Sequence, residues 1–314
     1  MPPTYEGRPL ARPDEELTDQ GLGFDLGTLL GRRQVLRALG LGAATLGLAA
    51  CSDPEPGTAK PTWSYSPSPT GEIPDETAGP YPGDGSNGPD VLDQSGVVRS
   101  DIRPSFGTAT GRADGVPMTL ELALTDLANR GQPFAGAAVY VWHCDREGRY
   151  SLYSEGVTDQ NYLRGVQVAD TDGKVRFTSI FPACYSGRWP HVHFEVYRAK
   201  DDIADSAKAI ATSQVALPKD VCDKVYQQSG YEASAGNLAQ VSLASDNVFG
   251  NDSAALQLAT VTGDVGQGYT VALNVGVDTA TTPSGGQLTG DGAPSGAPGG
   301  TPPGGLPPSG PRPS

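Results

Sequence analysis

Two histidines on one predicted strand are the residues of this sequence best suited to metal chemistry. His191 and His193 belong to a run that alternates polar and apolar residues up to Tyr197. This alternation places both imidazoles on one face of a strand, about 7 Å apart at the backbone, where they could bind one metal ion. Two outward-facing polar residues would give the same pattern, so the pair alone leaves both interpretations open. The third histidine of the chain, His143, ends another predicted strand, and we expect it to be a buried structural residue.

Tyrosines and an arginine lie close to this pair in sequence. Tyr185 lies six residues before His191 and Arg188 lies three residues before it, while Tyr150 follows a glycine turn after another predicted strand. A phenol becomes an anionic oxygen ligand once a metal ion removes its proton, and an arginine supplies a permanent positive charge. The alternatives are a core or rim aromatic for each tyrosine and a surface ion pair for Arg188.

In these stretches the chain resembles the intradiol ring-cleavage dioxygenases, non-haem ferric enzymes that include catechol 1,2-dioxygenase and protocatechuate 3,4-dioxygenase. The resemblance is greatest to exported, actinobacterial-type members with a lipoprotein leader. The similar stretches follow the family's order and extend over most of residues 76–278. They are Gly79–Tyr81, Trp142–Ser151, Leu163–Gly165, Asp170–Phe177, Tyr185–Arg188, His191–His193 and Ser213–Gln214.

The resemblance implies an oxidoreductase with Fe(III) as its cofactor. By its motifs the iron ligands would be Tyr150, Tyr185, His191 and His193. The substrate would be catechol or a substituted catechol, which O2 converts to a cis,cis-muconate-type product, and Tyr185 would also act as a base. Because two phenolates and a hydroxide balance the ferric charge, such a site can be buried.

The same resemblance assigns three supporting residues. Arg188 would face the substrate and oppose its developing negative charge. Gln214 would support the site from behind the ligands, although its spacing from His193 also fits an ordinary strand residue. Tyr81 would contact the substrate, or would be a turn aromatic.

Two departures from the family limit what the resemblance implies. The loop from Tyr185 to His191 is shorter than in the dedicated catabolic enzymes, which predicts a more open pocket. The amino-terminal helical dimerisation region of catechol 1,2-dioxygenases is also missing. The identity of the catechol and the oligomeric state therefore stay open.

Composition excludes one class of partner. The chain of 314 residues has 36 acidic and 22 basic side chains, a formal net charge of −14, and no run rich in Lys and Arg. A nucleic-acid-binding protein needs a basic surface, so we expect none here. The negative charge also favours neutral catechols over anionic aromatic acids.

The amino terminus predicts export. Arg32 and Arg33 precede an uncharged stretch over residues 38–50, too short to cross a bilayer, and Cys51 follows a small-residue cleavage site. This pattern is similar to a twin-arginine signal with a lipobox. It predicts a chain lipidated at Cys51 and anchored to the outer face of the cell membrane, or secreted, with the lipid anchor as its only membrane contact.

Between its ends the chain predicts an all-β fold, an antiparallel sandwich. Short alternating runs separated by Gly/Asp turns are typical of this class. The predicted strands are Met118–Leu124, Ala137–His143, Lys174–Thr178, His191–Tyr197, Ala255–Val261 and Tyr269–Val275. A short helix is expected within 218–238. The predicted organisation is a signal over 1–50, a flexible tether over 51–75, the folded domain over 76–278 and a disordered Gly/Pro-rich tail over 279–314.

With Cys51 lipidated, three cysteines remain, which allow one disulfide. Cys184 with Cys222 is the favoured pair, because it would fix the loop that carries Tyr185. The alternative is that all three thiols are reduced and buried.

The rival to an enzyme is a surface β-sandwich that has lost catalysis and binds carbohydrate or a partner protein. Such a chain would be expected to lack one of the four ligands. All four residues are present.

Overall fold

A computed structural model of the chain describes residues 71–283. It also gives the backbone of two short antiparallel strands, β1 (Thr4–Tyr5) and β2 (Arg8–Pro9). The twin-arginine stretch, the lipidation site Cys51, most of the predicted tether and the tail from residue 284 lie outside the described residues. No helix within residues 71–283 has the length and apolar character to cross a membrane.

Most of the regular structure is β-strand, arranged in two larger sheets. The first has the order β10-β11-β3-β7, with β4 pairing with the end of β3, and the second has the order β6-β5-β8-β9. Two short helices, α1 and α2, follow β9. The elements are β3 (Pro117–Asp126), β4 (Gln132–Pro133), β5 (Ala138–Trp142), β6 (Arg164–Val168), β7 (Lys174–Ile180), β8 (His191–Tyr197), β9 (Ala209–Ala216), α1 (Lys219–Val225), α2 (Ser234–Leu238), β10 (Thr260–Asp264) and β11 (Gly268–Val277).

Alternate residues of both sheets fill one shared core. Val192 and Phe194 of β8 and Val141 of β5 belong to the same buried cluster as Leu120 of β3 and Val271 of β11. Because side chains alternate along a strand, the residues between them project from the opposite face of the second sheet. That opposite face carries both histidines of β8.

The pairing of β8 with its neighbours positions these histidines. His193 lies opposite Trp142 of β5 on one side and opposite Gln214 of β9 on the other. Directly paired residues of antiparallel strands share a face, so these three side chains lie in one row across the sheet.

The structure agrees with the strands predicted from the sequence at β3, β5, β7, β8 and β11. Residues 218–238, where one short helix was expected, contain two, α1 and α2. The strand predicted over Ala255–Val261 is wrong in its first part, because turns occupy 255–257, Leu258 makes only an isolated bridge and β10 begins at Thr260. Ser253 and Ala254 have positive φ angles of 58° and 59°, which are incompatible with an extended strand. The sheets are also not purely antiparallel, since β11 pairs with β3 in parallel.

Candidate metal centre

The two histidines of β8 bring their ring nitrogens together on the outer face of the second sheet. The His191 and His193 side chains are buried, with 2% and 3% of their residue surface exposed. Their Nε2 atoms lie 3.0 Å apart. A bare approach of two nitrogen lone pairs is repulsive, so this geometry requires a shared proton or a cation between them.

Two tyrosines complete the cluster. The Tyr185 hydroxyl lies 3.2 Å from His191 Nε2. The Tyr150 ring lies edge-on to Tyr185 and to His193, with centroid distances of 6.0 and 6.2 Å. The Tyr150 hydroxyl is buried and has no hydrogen-bond partner within residues 71–283. The structure therefore brings together all four side chains that the resemblance assigned as iron ligands.

Different contacts orient the two imidazoles. His191 Nδ1 donates a hydrogen bond of 2.5 Å to the carbonyl oxygen of Trp189, which leaves the Nε2 lone pair free. His193 Nδ1 has no partner in the described part of the chain. Its ring instead stacks on Trp142, with centroids 4.8 Å apart and an interplanar angle of 8°. A backbone acceptor therefore fixes one imidazole, and an aromatic face fixes the other.

Tyr150 is positioned by the turn that follows β5. The buried Asp145 carboxylate accepts hydrogen bonds from the backbone amides of Glu147 and Arg149, at 3.0 and 2.9 Å. Gly148 has a φ of +85°, a conformation that glycine adopts without strain. These contacts fix the tight turn that carries Tyr150 over the sheet.

Burial decides the protonation states of the cluster. Burial raises the pKa of Tyr185 to about 12, against the opposing effect of Arg188, and raises the pKa of Tyr150 well above its usual value. Burial and Arg188 lower the pKa of His191 to about 3, and burial also lowers the pKa of His193 strongly. Without a cation the four groups are neutral, and each imidazole keeps a lone pair that a metal ion could use.

The arrangement fits a cation of the kind that the resemblance implies. Two ligands at right angles, each about 2.1 Å from an ion, lie about 3.0 Å apart. The spacings of 3.0 and 3.2 Å that join Tyr185, His191 and His193 match this value. No three His, Cys, Asp or Glu side chains form a metal site among residues 71–283, so a metal ion here would depend on the tyrosines. Phenolate oxygen suits a hard trivalent ion such as Fe(III).

Arg188 lies beside this cluster and is held by two side chains. Its Nε donates to Asp246 Oδ2 at 2.9 Å, and its Nη2 donates to Gln214 Oε1 at 2.6 Å. Gln214 Nε2 in turn donates to the carbonyl oxygen of Thr77 at 3.1 Å. The structure therefore links Arg188 and Gln214, and it adds Asp246, which no pattern in the sequence singles out.

Tyr81 packs against the Tyr150 ring, with centroids 4.9 Å apart. The buried Arg164 connects the segments that carry these two tyrosines. It donates to the carbonyl oxygens of Tyr81 and Pro82, at 2.9 and 2.6 Å, and to the carbonyl oxygen of Ser151 at 3.0 Å. Sequence reasoning included Arg164 only as part of a similar stretch and gave it no role.

His143 lies apart from the cluster and its ring is fully hydrogen-bonded. Its Nδ1 contacts the carbonyl oxygen of Cys144 at 2.8 Å and its Nε2 contacts Ser179 Oγ at 2.7 Å. Burial lowers the pKa of His143 to about 4. This is the environment of a structural histidine.

The disulfide expected between Cys184 and Cys222 is not formed in the structure, where both are free buried thiols, as is Cys144. Cys184 Sγ lies 3.5 Å from the carbonyl oxygen of Arg188. Burial raises the pKa of Cys184 to about 12 and raises that of Cys222 as well. The thiolate needed for disulfide exchange is therefore scarce at both positions.

Comparisons with known proteins bear on this cluster. Residues 88–204 match the family model described as Dioxygenase. A chlorocatechol 1,2-dioxygenase of Rhodococcus opacus is 33% identical over 93 residues, which are 26% of this chain and 36% of that protein. A catechol 1,2-dioxygenase of Pseudomonas sp. (strain EST1001) is 39% identical over 72 residues, which are 23% of each chain. These matches support the intradiol dioxygenase family. The chain spans about a third or less of the length of these curated relatives.

A solved structure shows the same fold over a longer stretch. The intradiol ring-cleavage dioxygenase from Tetranychus urticae superposes with a TM-score of 0.54 at 21% sequence identity, over 68% of this chain and 97% of that chain. The likeness shows that this chain shares the mostly-strand fold of that structure.

Proposed function

We propose that this protein is a non-haem Fe(III) intradiol dioxygenase that cleaves catechol or a substituted catechol with O2 to a cis,cis-muconate-type product. The observation that carries the proposal is how closely these side chains approach one another. Tyr185 Oη lies 3.2 Å from His191 Nε2, and His191 Nε2 lies 3.0 Å from His193 Nε2. The Tyr150 hydroxyl beside them has no hydrogen-bond partner within residues 71–283. A bound ferric ion would supply Lewis acidity that acidifies the two substrate hydroxyls and withdraws electron density from the ring.

Tyr185 is the residue best placed to take a proton from the substrate. Its hydroxyl donates to His191 Nε2, and its pKa is raised by burial and lowered by Arg188. If a metal ion removed this proton, the resulting phenolate would have a high proton affinity. It would then accept a proton from a catechol hydroxyl and become a neutral phenol again.

Arg188 supplies positive charge on the side of the cluster formed by Tyr185 and His191. It influences the pKa of both residues, and its guanidinium is fixed by Asp246 and Gln214. A cation held in place before the reaction stabilises negative charge without reorganisation. Tyr81, packed on Tyr150, adds an aromatic surface for the substrate ring.

Oxygen uptake with catechol tests the proposal. Iron-loaded protein should consume O2 and yield a ring-cleaved product, while Tyr150→Phe and His193→Ala should lose at least about a hundredfold in rate. Tyr269→Phe is the matched control, because Tyr269 is a buried tyrosine of β11 whose ring packs on Phe181, outside the cluster. Equal rates in all variants, or no uptake by the wild type, would favour the inactive carbohydrate- or protein-binding sandwich.

We also propose that the protein is exported and lipidated at Cys51, on the twin-arginine and lipobox pattern alone. Labelling with a fatty-acid analogue should modify the wild type and not Cys51→Ser. Equal labelling of both would contradict this assignment.

A further inference from the structure

Asp246 is a buried carboxylate that lies 58 positions after Arg188 and outside the segment that matches the dioxygenase family model. Its side chain is fully buried, with 0% exposure. It accepts hydrogen bonds from Arg188 Nε at 2.9 Å and from the backbone amide of Trp189 at 2.7 Å. The amides of Val248 and Phe249 donate to its other oxygen, at 2.9 and 3.0 Å.

These contacts keep Asp246 ionised. Although burial alone would raise its pKa, Arg188 and the backbone donors lower it below its usual value. The Arg188 side chain is 13% exposed, so both members of this ion pair are largely shielded from solvent. A buried pair with this geometry is electrically neutral as a unit, and its members attract each other more strongly than an exposed pair would.

The pair lies within electrostatic reach of the candidate metal centre. Asp246 accepts from the backbone amide of Trp189, whose carbonyl oxygen accepts from His191 Nδ1, and Arg188 donates to Gln214, the strand partner of His193. Glu76, which is 8% exposed, is also influenced by both members of the pair. A ligand at the centre therefore meets an arginine that already holds a carboxylate partner.

The other nearby arginine is also occupied. Arg164 is 1% exposed, and its Nε, Nη1 and Nη2 atoms all donate to carbonyl or hydroxyl oxygens of the protein. Arg188 is therefore the arginine of the cluster that a carboxylate on a substrate ring could pair with, and Asp246 already occupies it.

We propose that Asp246 is a specificity-determining residue that restricts this site to catechols without a ring carboxylate, because it already pairs with Arg188. The inference rests on the proposed function and deepens it by naming the substrate class. A carboxylate on a substrate ring would lose its hydration on entering the site, where Arg188 is already engaged by Asp246.

Ligand affinity under argon tests this separately from turnover. Catechol and 3,4-dihydroxybenzoate differ by one carboxylate, and their dissociation constants for iron-loaded protein can be measured by titration calorimetry. Wild type should bind catechol at least about tenfold more tightly. Equal or tighter binding of 3,4-dihydroxybenzoate by the wild type would overturn the inference, whether or not any variant folds.

Asp246→Asn then tests the residue itself. This variant keeps the size of the side chain and removes its charge, so Arg188 gains a free positive charge. The preference for catechol should fall by about tenfold, mainly through tighter binding of 3,4-dihydroxybenzoate. Asp223→Asn, which removes an exposed carboxylate paired with Lys219, should leave the preference unchanged. An unchanged preference in folded Asp246→Asn would contradict the proposal.

Turnover separates the two proposals. If the wild type prefers catechol in binding and Asp246→Asn shifts that preference, but neither protein cleaves either ring, the specificity inference stands and the proposed function fails. If the wild type cleaves catechol and Asp246→Asn shows no shift, the proposed function stands and the inference fails.

Discussion

The indole of Trp142 lies parallel to the imidazole of His193, with centroids 4.8 Å apart and an angle of 8° between the planes. The two residues are direct partners on β5 and β8. Since His193 Nδ1 has no hydrogen bond within residues 71–283, this stack is the main contact that orients the ring. Gly79 lies close to the Cε1 atom of this ring. A Cβ atom on Gly79 would be 3.4 Å from His193 Cε1, so the backbone there leaves little space for the ring to turn.

Replacing Trp142 should therefore weaken metal binding. In Trp142→Leu the His193 ring loses its stacking surface, and we expect iron affinity to fall by about tenfold to a hundredfold. Titration of iron into the apo-protein measures this. Phe194→Leu is the control, because Phe194 occupies the opposite face of β8 in the shared core and should reduce stability without reducing iron affinity. Equal affinity losses in both variants would show that the stack has no specific role.

Arg164 should be essential for holding the segments of Tyr81 and Tyr150 together. Arg164→Lys keeps the positive charge but cannot reproduce the planar fork that reaches Tyr81, Pro82 and Ser151 at once. We expect a loss of about 2–4 kcal/mol in the free energy of unfolding, measured with urea. Arg198→Lys, at an exposed arginine bound to the carbonyl oxygen of Thr279, should change it by less than about 0.5 kcal/mol. Similar losses at both positions would contradict this role.

Glu76 should make the fold less stable as the pH rises. Burial raises the pKa of Glu76 from its ordinary value of 4.5 to about 7. In the unfolded chain the carboxyl ionises near pH 4.5, whereas in the folded chain it stays protonated up to about pH 7. Between these values the unfolded state loses its proton first, so the free energy of unfolding falls, by at most roughly 3 kcal/mol, and then levels off.

Glu76→Gln tests this dependence. The amide cannot ionise, so the variant should gain stability relative to wild type at pH 8, and the difference should shrink towards pH 4. Urea unfolding of both proteins at the two pH values gives the comparison. A difference that does not vary with pH would mean that Glu76 ionises normally in the folded protein.

The sequence was most informative where a local pattern determines the structure. The alternation from His191 to Tyr197 predicted β8 residue for residue, because its apolar residues enter the shared core while the residues between them project from the opposite face. The motifs that resemble the dioxygenase family pointed to Tyr150 and Tyr185, which come together only in the fold. Neither tyrosine could be distinguished from the other tyrosines by composition.

Long-range features were not accessible in the same way. Asp246 approaches Arg188 across 58 positions, and an isolated aspartate in a turn carries no signal of a buried ion pair. The parallel pairing of β3 with β11 likewise depends on the path of the chain between two strands near opposite ends of the domain. The strand predicted over 255–261 shows the converse. Its alternating leucines fit a strand, but the positive φ angles of Ser253 and Ala254, just before it, direct the backbone into turns.

The visible absorption spectrum of the purified, iron-loaded protein tests the central claim most directly. Ligation by Tyr150 and Tyr185 predicts a red-brown protein with a tyrosinate-to-iron charge-transfer band, which Tyr150→Phe or Tyr185→Phe should weaken and shift, and which Tyr269→Phe should leave unchanged. A protein that binds ferric iron in a one-to-one ratio and shows no such band would contradict the ligand assignment and the function proposed from it.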